Sequence, residues 1–243
     1  MMNKSSSKVP DAKQQAVKKK TRQEYAAQTA VLKRRGDYLP QYDYFLDMLS
    51  LHAEPEKFRQ KVMKPVAALN CLQAPPEIFD ALGFIPYRFC SSTVSGQDVA
   101  ASRLPALACP IIKSCLSSFF MDDSIESLAE LTVIAGTCDW MVRLPELLDT
   151  HGGKIHFMEL PHMKESERGR KRWFEEVYLL KDFLEKESGK KMSRQNLRLS
   201  IQKYAAARLA LRNLLEARER KEIPALWCMI MTNALMMGDV EGW

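Results

Sequence analysis

Between Pro65 and Pro161 the chain alternates two kinds of hydrophobic pattern. Four short, nearly continuous apolar runs recur: PVAALNC (65–71), FIPYRF (84–89), LTVIAG (131–136) and KIHFMELP (154–161). Runs of this length without polar interruption predict strands buried on both faces. Between them stand APPEIFDALGF (74–84), LACPIIKSCLSSFF (107–120) and TCDWMVRLPELLDTHGG (137–153). Their apolar residues fall at helical steps. Pro75 and Pro76 suit the first turn of a helix and Gly83 its end, and Pro110 opens another. Paired glycines at 152–153 close the third. A serine-rich loop at 91–98 and a short helical piece over Val99–Leu104 fill the remaining gap. Strand–helix alternation of this kind predicts a parallel, Rossmann-like sheet with helices on both faces, an α/β fold.

The flanks read as helix. Ahead of the sheet, one helix is predicted from Gln23 to about Gly36. Tyr42, Phe45, Leu46 and Leu49 then make one apolar helical face. Beyond Pro161, Trp173, Val177, Leu180 and Leu184 share a face, and Gly189 stops that helix. Ser193 is a good N-cap for the next, in which Leu197, Ile201, Tyr204, Leu211 and Leu215 form the predicted stripe. Pro224 breaks it, and a last apolar helix follows that needs something to pack against. The expected organisation is a basic, disordered tail over 1–23, N-terminal helices over 24–64, an α/β lobe over 65–162, and a helical extension over 163–243. That extension is expected to lead toward a second lobe absent from this chain.

Composition narrows the class. With 243 residues, 46% hydrophobic and 27% charged, the chain can bury a sizeable core. The net charge of +6 is concentrated before Arg35. That arm is read as a solvated terminus rather than a nucleic-acid or membrane contact. No apolar run has the ~20 residues of a membrane span. Nothing near Met1 resembles an export signal, so a cytoplasmic location is expected. The RGRKRW run (168–173) is read as a solvated helix start, and no phosphate-binding glycine loop is present. His151, His156 and His162 lack a convergent metal-binding spacing and are read as ordinary loop and surface residues.

The cysteines carry the candidate chemistry. Six occur, at 71, 90, 109, 115, 138 and 228. A cytoplasmic chain disfavours disulfides. Cys109 and Cys138 each stand where an apolar run gives way to a helix. A helix N-terminus favours the thiolate, and thiolates bind iron–sulfur clusters or zinc. Spacing alone leaves buried thiols as the simpler reading for all six.

The motifs resemble the 2-hydroxyacyl-CoA dehydratase family, whose relatives include benzoyl-CoA reductase subunits and double-cubane cluster proteins. APPEIFDALGFIPYRF is similar to the family's P-E-hydrophobic-x-x-A-x-G-hydrophobic-x-P element. CPIIKSCLSSF resembles its C-P-x-x-K-S-S-x-G-F loop, and AGTCDWMVRLPELL its T-T-C-D strand end and helix. FMELPH and the long helical pair from Phe174 to Arg218 fit in order, so the likeness covers roughly Pro65 to Arg220. It implies two α/β lobes and a [4Fe-4S] cluster held by three cysteines. Cys109 and Cys138 match the two ligands of the first lobe, and the third would lie on the second. Cys115 stands where many members have serine. It and Cys71, whose default reading is strand core, are possible additional ligands. Cys90 and Cys228 match none.

The resemblance implies an iron–sulfur subunit of a heterodimeric, anaerobic lyase. An ATP-dependent iron–sulfur activator supplies one electron. An (R)-2-hydroxyacyl-CoA then loses water through a radical to give the enoyl-CoA. A benzoyl-CoA or double-cubane-type reductase is the alternative chemistry. A non-catalytic cluster-binding or partner-binding remnant is the alternative of another class. Two departures from the pattern weigh against independent catalysis: KSCLSSF lacks the family glycine, and a second lobe is missing. The missing third cysteine favours that last reading.

Overall fold

The computed structural model describes residues 11–89, 97, 99, 103–121, 124–148 and 153–243. Four strands form one sheet: β1 (Val66–Leu69), β2 (Ile85–Arg88), β3 (Leu131–Ala135) and β4 (Ile155–Met158). Their order is β2-β1-β3-β4 and every pairing is parallel. The predicted α/β class holds. Alternate residues of each strand serve opposite faces, as the period of two requires. Val66 and Ala68 join one core cluster; Ala67 and Leu69 join the other.

Helices cover both faces. α1 (Asp11–Lys33), α2 (Asp43–Ser50) and α3 (Pro55–Val62) precede the sheet; α4 (Pro76–Ala81) links β1 to β2. α5 (Pro110–Phe119) links β2 to β3, and α6 (Asp139–Leu148) links β3 to β4. α7 (Glu167–Ser188), α8 (Arg194–Glu219) and α9 (Ala225–Leu235) follow. α5 and α6 pack on one face with Met48, Phe58 and Ala234; α4 and α7 pack on the other through Phe79, Leu180 and Leu184. No helix among the described residues is long and apolar enough to cross a membrane.

Several expectations need correction. The first helix begins at Asp11, not Gln23. Gln14, Val17 and Thr21 fall on one face and are buried. That narrow stripe, hidden among lysines, anchors a segment read as a disordered tail. The stripe of α8 is also displaced. Ile201 and Leu215 are exposed, whereas Ser200, Tyr204, Ala207, Leu214 and Ala217 are buried. Small residues let α8 approach α4 closely, so the contact runs beside the leucines rather than through them. Lys203–Asp80 at 2.8 Å and Arg208–Glu77 at 2.6 Å fasten that contact.

α9 has its packing partner within the chain. Trp227 is fully buried and stacks on Tyr42 with centroids 4.3 Å apart. Leu46 and Leu214 complete that cluster. The first core cluster draws on all four segments into which the sequence was divided, from Val17 through Phe58 and Leu116 to Met237. Cys90, His151, the loop at 91–98 apart from Gln97, and residues 100–102 of the Val99–Leu104 piece lie outside the described residues, as do the first of the paired glycines and the other residues at 149–152.

Candidate functional site

β1 hands the chain to β2 on one side, and the crossover through α5 brings it back to β3 on the other. The topological switch point therefore lies between the carboxyl ends of β1 and β3. In open parallel sheets this is where loops diverge and leave a crevice for ligands. Cys71 follows β1 and Cys138 follows β3. α5 returns from the carboxyl end of β2 toward the amino end of β3, so its first turn, and Cys109 with it, starts on the same side of the sheet.

Cys109 and Cys138 both occupy helix starts. The Cys109 carbonyl accepts the Lys113 N–H at 3.1 Å, and the Cys138 carbonyl accepts the Val142 N–H at 3.0 Å. Their helices, α5 and α6, pack against each other. Cys109 is half-buried and Cys138 exposed.

Cys71 is not strand core. β1 ends at Leu69, and Cys71 turns into the left-handed region with φ 55°. Its thiol lies 3.1 Å from the Thr137 hydroxyl and 3.6 Å from Asn70 Nδ2. Cys115 is different. It is buried on the inner face of α5, and its S–H donates to the Phe89 carbonyl at 3.1 Å. Burial first, then the nearby charges of Glu126, Cys71 and Cys109, push its thiol pKa well above the ordinary value. A thiol held protonated is a poor metal ligand. Cys228 is buried in α9, remote from this edge.

The histidines do not converge. His156 is half-buried and stacks on Phe183, and His162 is exposed. Within RGRKRW, Arg172 pairs with Glu159 and Glu176 at 2.6 and 2.7 Å, so part of that charge is neutralised internally.

One cluster had no signal in the sequence. His52, Tyr87 and Glu126 come from a short turn of helix, a strand and a loop, and line a cavity of about 110 Å³ under α1. The Tyr87 hydroxyl lies 2.8 Å from His52 Nδ1 and donates to Glu126 Oε1 at 3.3 Å. Burial pushes the Glu126 carboxyl up to about 7 and the His52 imidazole down to about 4. Successive members stand 35 and 39 positions apart in sequence, which no spacing rule joins.

The fold and the placement of these thiols define an open parallel α/β protein with its candidate chemistry at the switch point. The family model for the 2-hydroxyglutaryl-CoA dehydratase D-component matches residues 71–243, and the chain belongs to that family. It is thus a subunit of the 2-hydroxyacyl-CoA dehydratase type. No curated protein matches it. The matched span contains Cys71, Cys109, Cys115 and Cys138; α1, α2 and α3 lie ahead of it.

The donor set fits part of an iron–sulfur site. Thiolates are the ligands such clusters take. Two stand at adjacent helix starts, and a third, Cys71, at the neighbouring strand end. Yet among the described residues no group of three His, Cys, Asp or Glu side chains is gathered as a metal site. The described residues supply suitable donors without bringing three together.

Proposed function

We propose that the chain is the iron–sulfur subunit of a 2-hydroxyacyl-CoA dehydratase-type enzyme, with Cys109 and Cys138 as cluster ligands. The observation that supports this most is their placement, one at the start of each of two packed helices on the carboxyl side of the sheet. Cys71 is the better additional donor, because Cys115 is buried and hydrogen-bonded to a carbonyl. A donor from a sister subunit or from outside the described residues would complete the set. When bound, a [4Fe-4S] cluster supplies the single electron that starts dehydration of an (R)-2-hydroxyacyl-CoA to the enoyl-CoA.

The protein's own part is to bind and insulate. Cys109 and Cys138, one at each of two packed helix starts, would hold the cluster from this subunit's side. The acyl thioester would approach the carboxyl ends of β1 and β3, where Cys71 and Cys138 stand. The sister subunit, an ATP-dependent iron–sulfur activator and the acyl-CoA are the proposed partners, in the cytoplasm. In this reading the α/β lobe over 65–162 carries the cluster, and 163–243 supports it.

A second reading has one observation in its favour. No three ligands are gathered among the described residues, which suits a non-catalytic subunit that binds its partner.

Anaerobic reconstitution with iron and sulfide separates the two readings. The chain, alone or with its sister subunit, is expected to take up iron and sulfide and to show the electron paramagnetic resonance signal of a reduced cluster. Cys109→Ala and Cys138→Ala should each lose most of the iron while keeping their circular dichroism. No uptake in either state, or full uptake by the double variant, overturns the ligand assignment.

A further inference from the structure

At the switch point, one side chain imitates a peptide bond. The β1–β3 ladder pairs Leu69 with Val133, and its last backbone bond runs from the Asn70 N–H to the Val133 carbonyl at 3.2 Å. The next groups of β3 that face β1 are the N–H and C=O of Ala135, which is fully buried. A continuing strand would satisfy them from the Asn70 carbonyl and the Leu72 N–H. Cys71 has instead turned out of the sheet at φ 55°. A buried peptide left without partners is destabilising.

The Asn70 carboxamide fills the gap. Its Oδ1 accepts the Ala135 N–H at 2.6 Å, and its Nδ2 donates to the Ala135 carbonyl at 3.3 Å. Only a short carboxamide offers a donor and an acceptor in one plane at this reach; aspartate has no donor, and glutamine is a methylene too long. Asn70 is itself completely buried. The ladder is thus extended by one residue with no backbone in it, and the main chain of Cys71 is free to bend away. Arg88, at the end of β2, donates to the Cys71 carbonyl and, at 3.2 Å, to that of Ala74, securing the bent chain from the other side. On the β3 side, the Thr137 hydroxyl meets Cys71 Sγ at 3.1 Å, beside Cys138.

We propose that Asn70 is a positioning residue that fixes Cys71 and the Thr137–Cys138 turn on the two facing lips of the β1–β3 switch point. It touches no reacting atom. It acts by ending β1 one residue early while leaving β3 satisfied, which sets how the two lips face each other. The inference rests on the proposed iron–sulfur reading for its role in cluster binding, though not for the geometry. Asn70 lies just ahead of the family-matched span.

Per-cysteine alkylation tests the geometry without metal. Wild-type and Asn70→Ala chains, metal-free and reduced, are treated with iodoacetamide at one pH, and each cysteine's rate is read by mass spectrometry. Cys228, buried in α9, reports general loosening. Asn70→Ala is expected to speed Cys71 at least tenfold relative to Cys228. Asn70→Asp, which keeps the acceptor and loses the donor, should fall between the two. A Cys71 rate that is unchanged, or that rises only in step with Cys228, overturns the proposal. A variant that fails to fold would expose both cysteines equally, so Asn70→Asp and Asn70→Ser serve as milder replacements judged by the same ratio. Both chains are then reconstituted with iron and sulfide. Faster iron loss to a chelator and an altered resonance spectrum in the variant tie the positioning to the cluster. If wild type takes up no iron, the iron–sulfur reading fails, while the alkylation ratio still decides the role of Asn70.

Discussion

Glu126 is a carboxyl group buried beside a tyrosine and an imidazole. The groups facing it are the Tyr87 hydroxyl, His52, Tyr25 of α1 and the Ser124 hydroxyl, with Cys115 behind it. Arg22 of α1 lines the same cavity but pairs with Glu54 at 2.9 Å. Desolvation therefore dominates and raises the carboxyl from 4.5 to about 7. The folded protein holds this proton more tightly than the unfolded chain does. Stability is full below the unfolded value and falls as pH rises through the folded one. A shift of that size corresponds to about 3 kcal/mol, of which about 2.5 kcal/mol is lost between pH 5 and pH 8. Glu126→Gln keeps the shape and the acceptor for Tyr87 and removes the titration. Urea unfolding of both proteins at pH 5, 6, 7 and 8 measures the effect. The variant should gain on wild type by about 2.5 kcal/mol across that range. His52, neutral when folded, tilts stability the other way, down as pH falls. It is common to both proteins and drops out of the difference. Alone in the variant, it should make stability climb from pH 5 toward pH 7. A difference between the two proteins that stays constant within about 0.5 kcal/mol would refute the claim that Glu126 is neutral in the fold.

Cys115→Ala should leave the iron content of the reconstituted protein unchanged. It should lower stability by about 1–3 kcal/mol, because it opens a small void and strips the Phe89 carbonyl of its donor; iron assay and urea unfolding read the two effects, and loss of iron at unchanged stability would restore Cys115 as a ligand. Gly169→Ala would drive a methyl into the Met163 carbonyl at the start of α7. It should cost about 1–3 kcal/mol in the same unfolding assay, and an unchanged midpoint would mean that this turn yields freely.

The parts of this fold that were legible in sequence are those where one local pattern decides the outcome. Four apolar runs bounded by Pro, Gly and Ser fixed the strands, and the order of helices between them fixed the parallel sheet. Cys109 and Cys138 were visible because a helix start is a local event. What escaped notice depended on neighbours distant in sequence. α1 looked like tail because its buried stripe of Gln14, Val17 and Thr21 is polar enough to pass for solvent-facing. The α8 stripe was misplaced because α4 selects small residues for close approach, and leucine spacing says nothing of that. Cys71 was read as strand because PVAALNC runs unbroken through it. The residue that ends the strand is Asn70, and an asparagine in an apolar run carries no mark of whether its carboxamide caps a strand or points to water. That difference is made by Ala135, 65 positions away. The site is therefore half local and half tertiary. Sequence names the thiols, and only the fold shows which of them stands where a buried amide ends the strand and which a carbonyl has locked into the core.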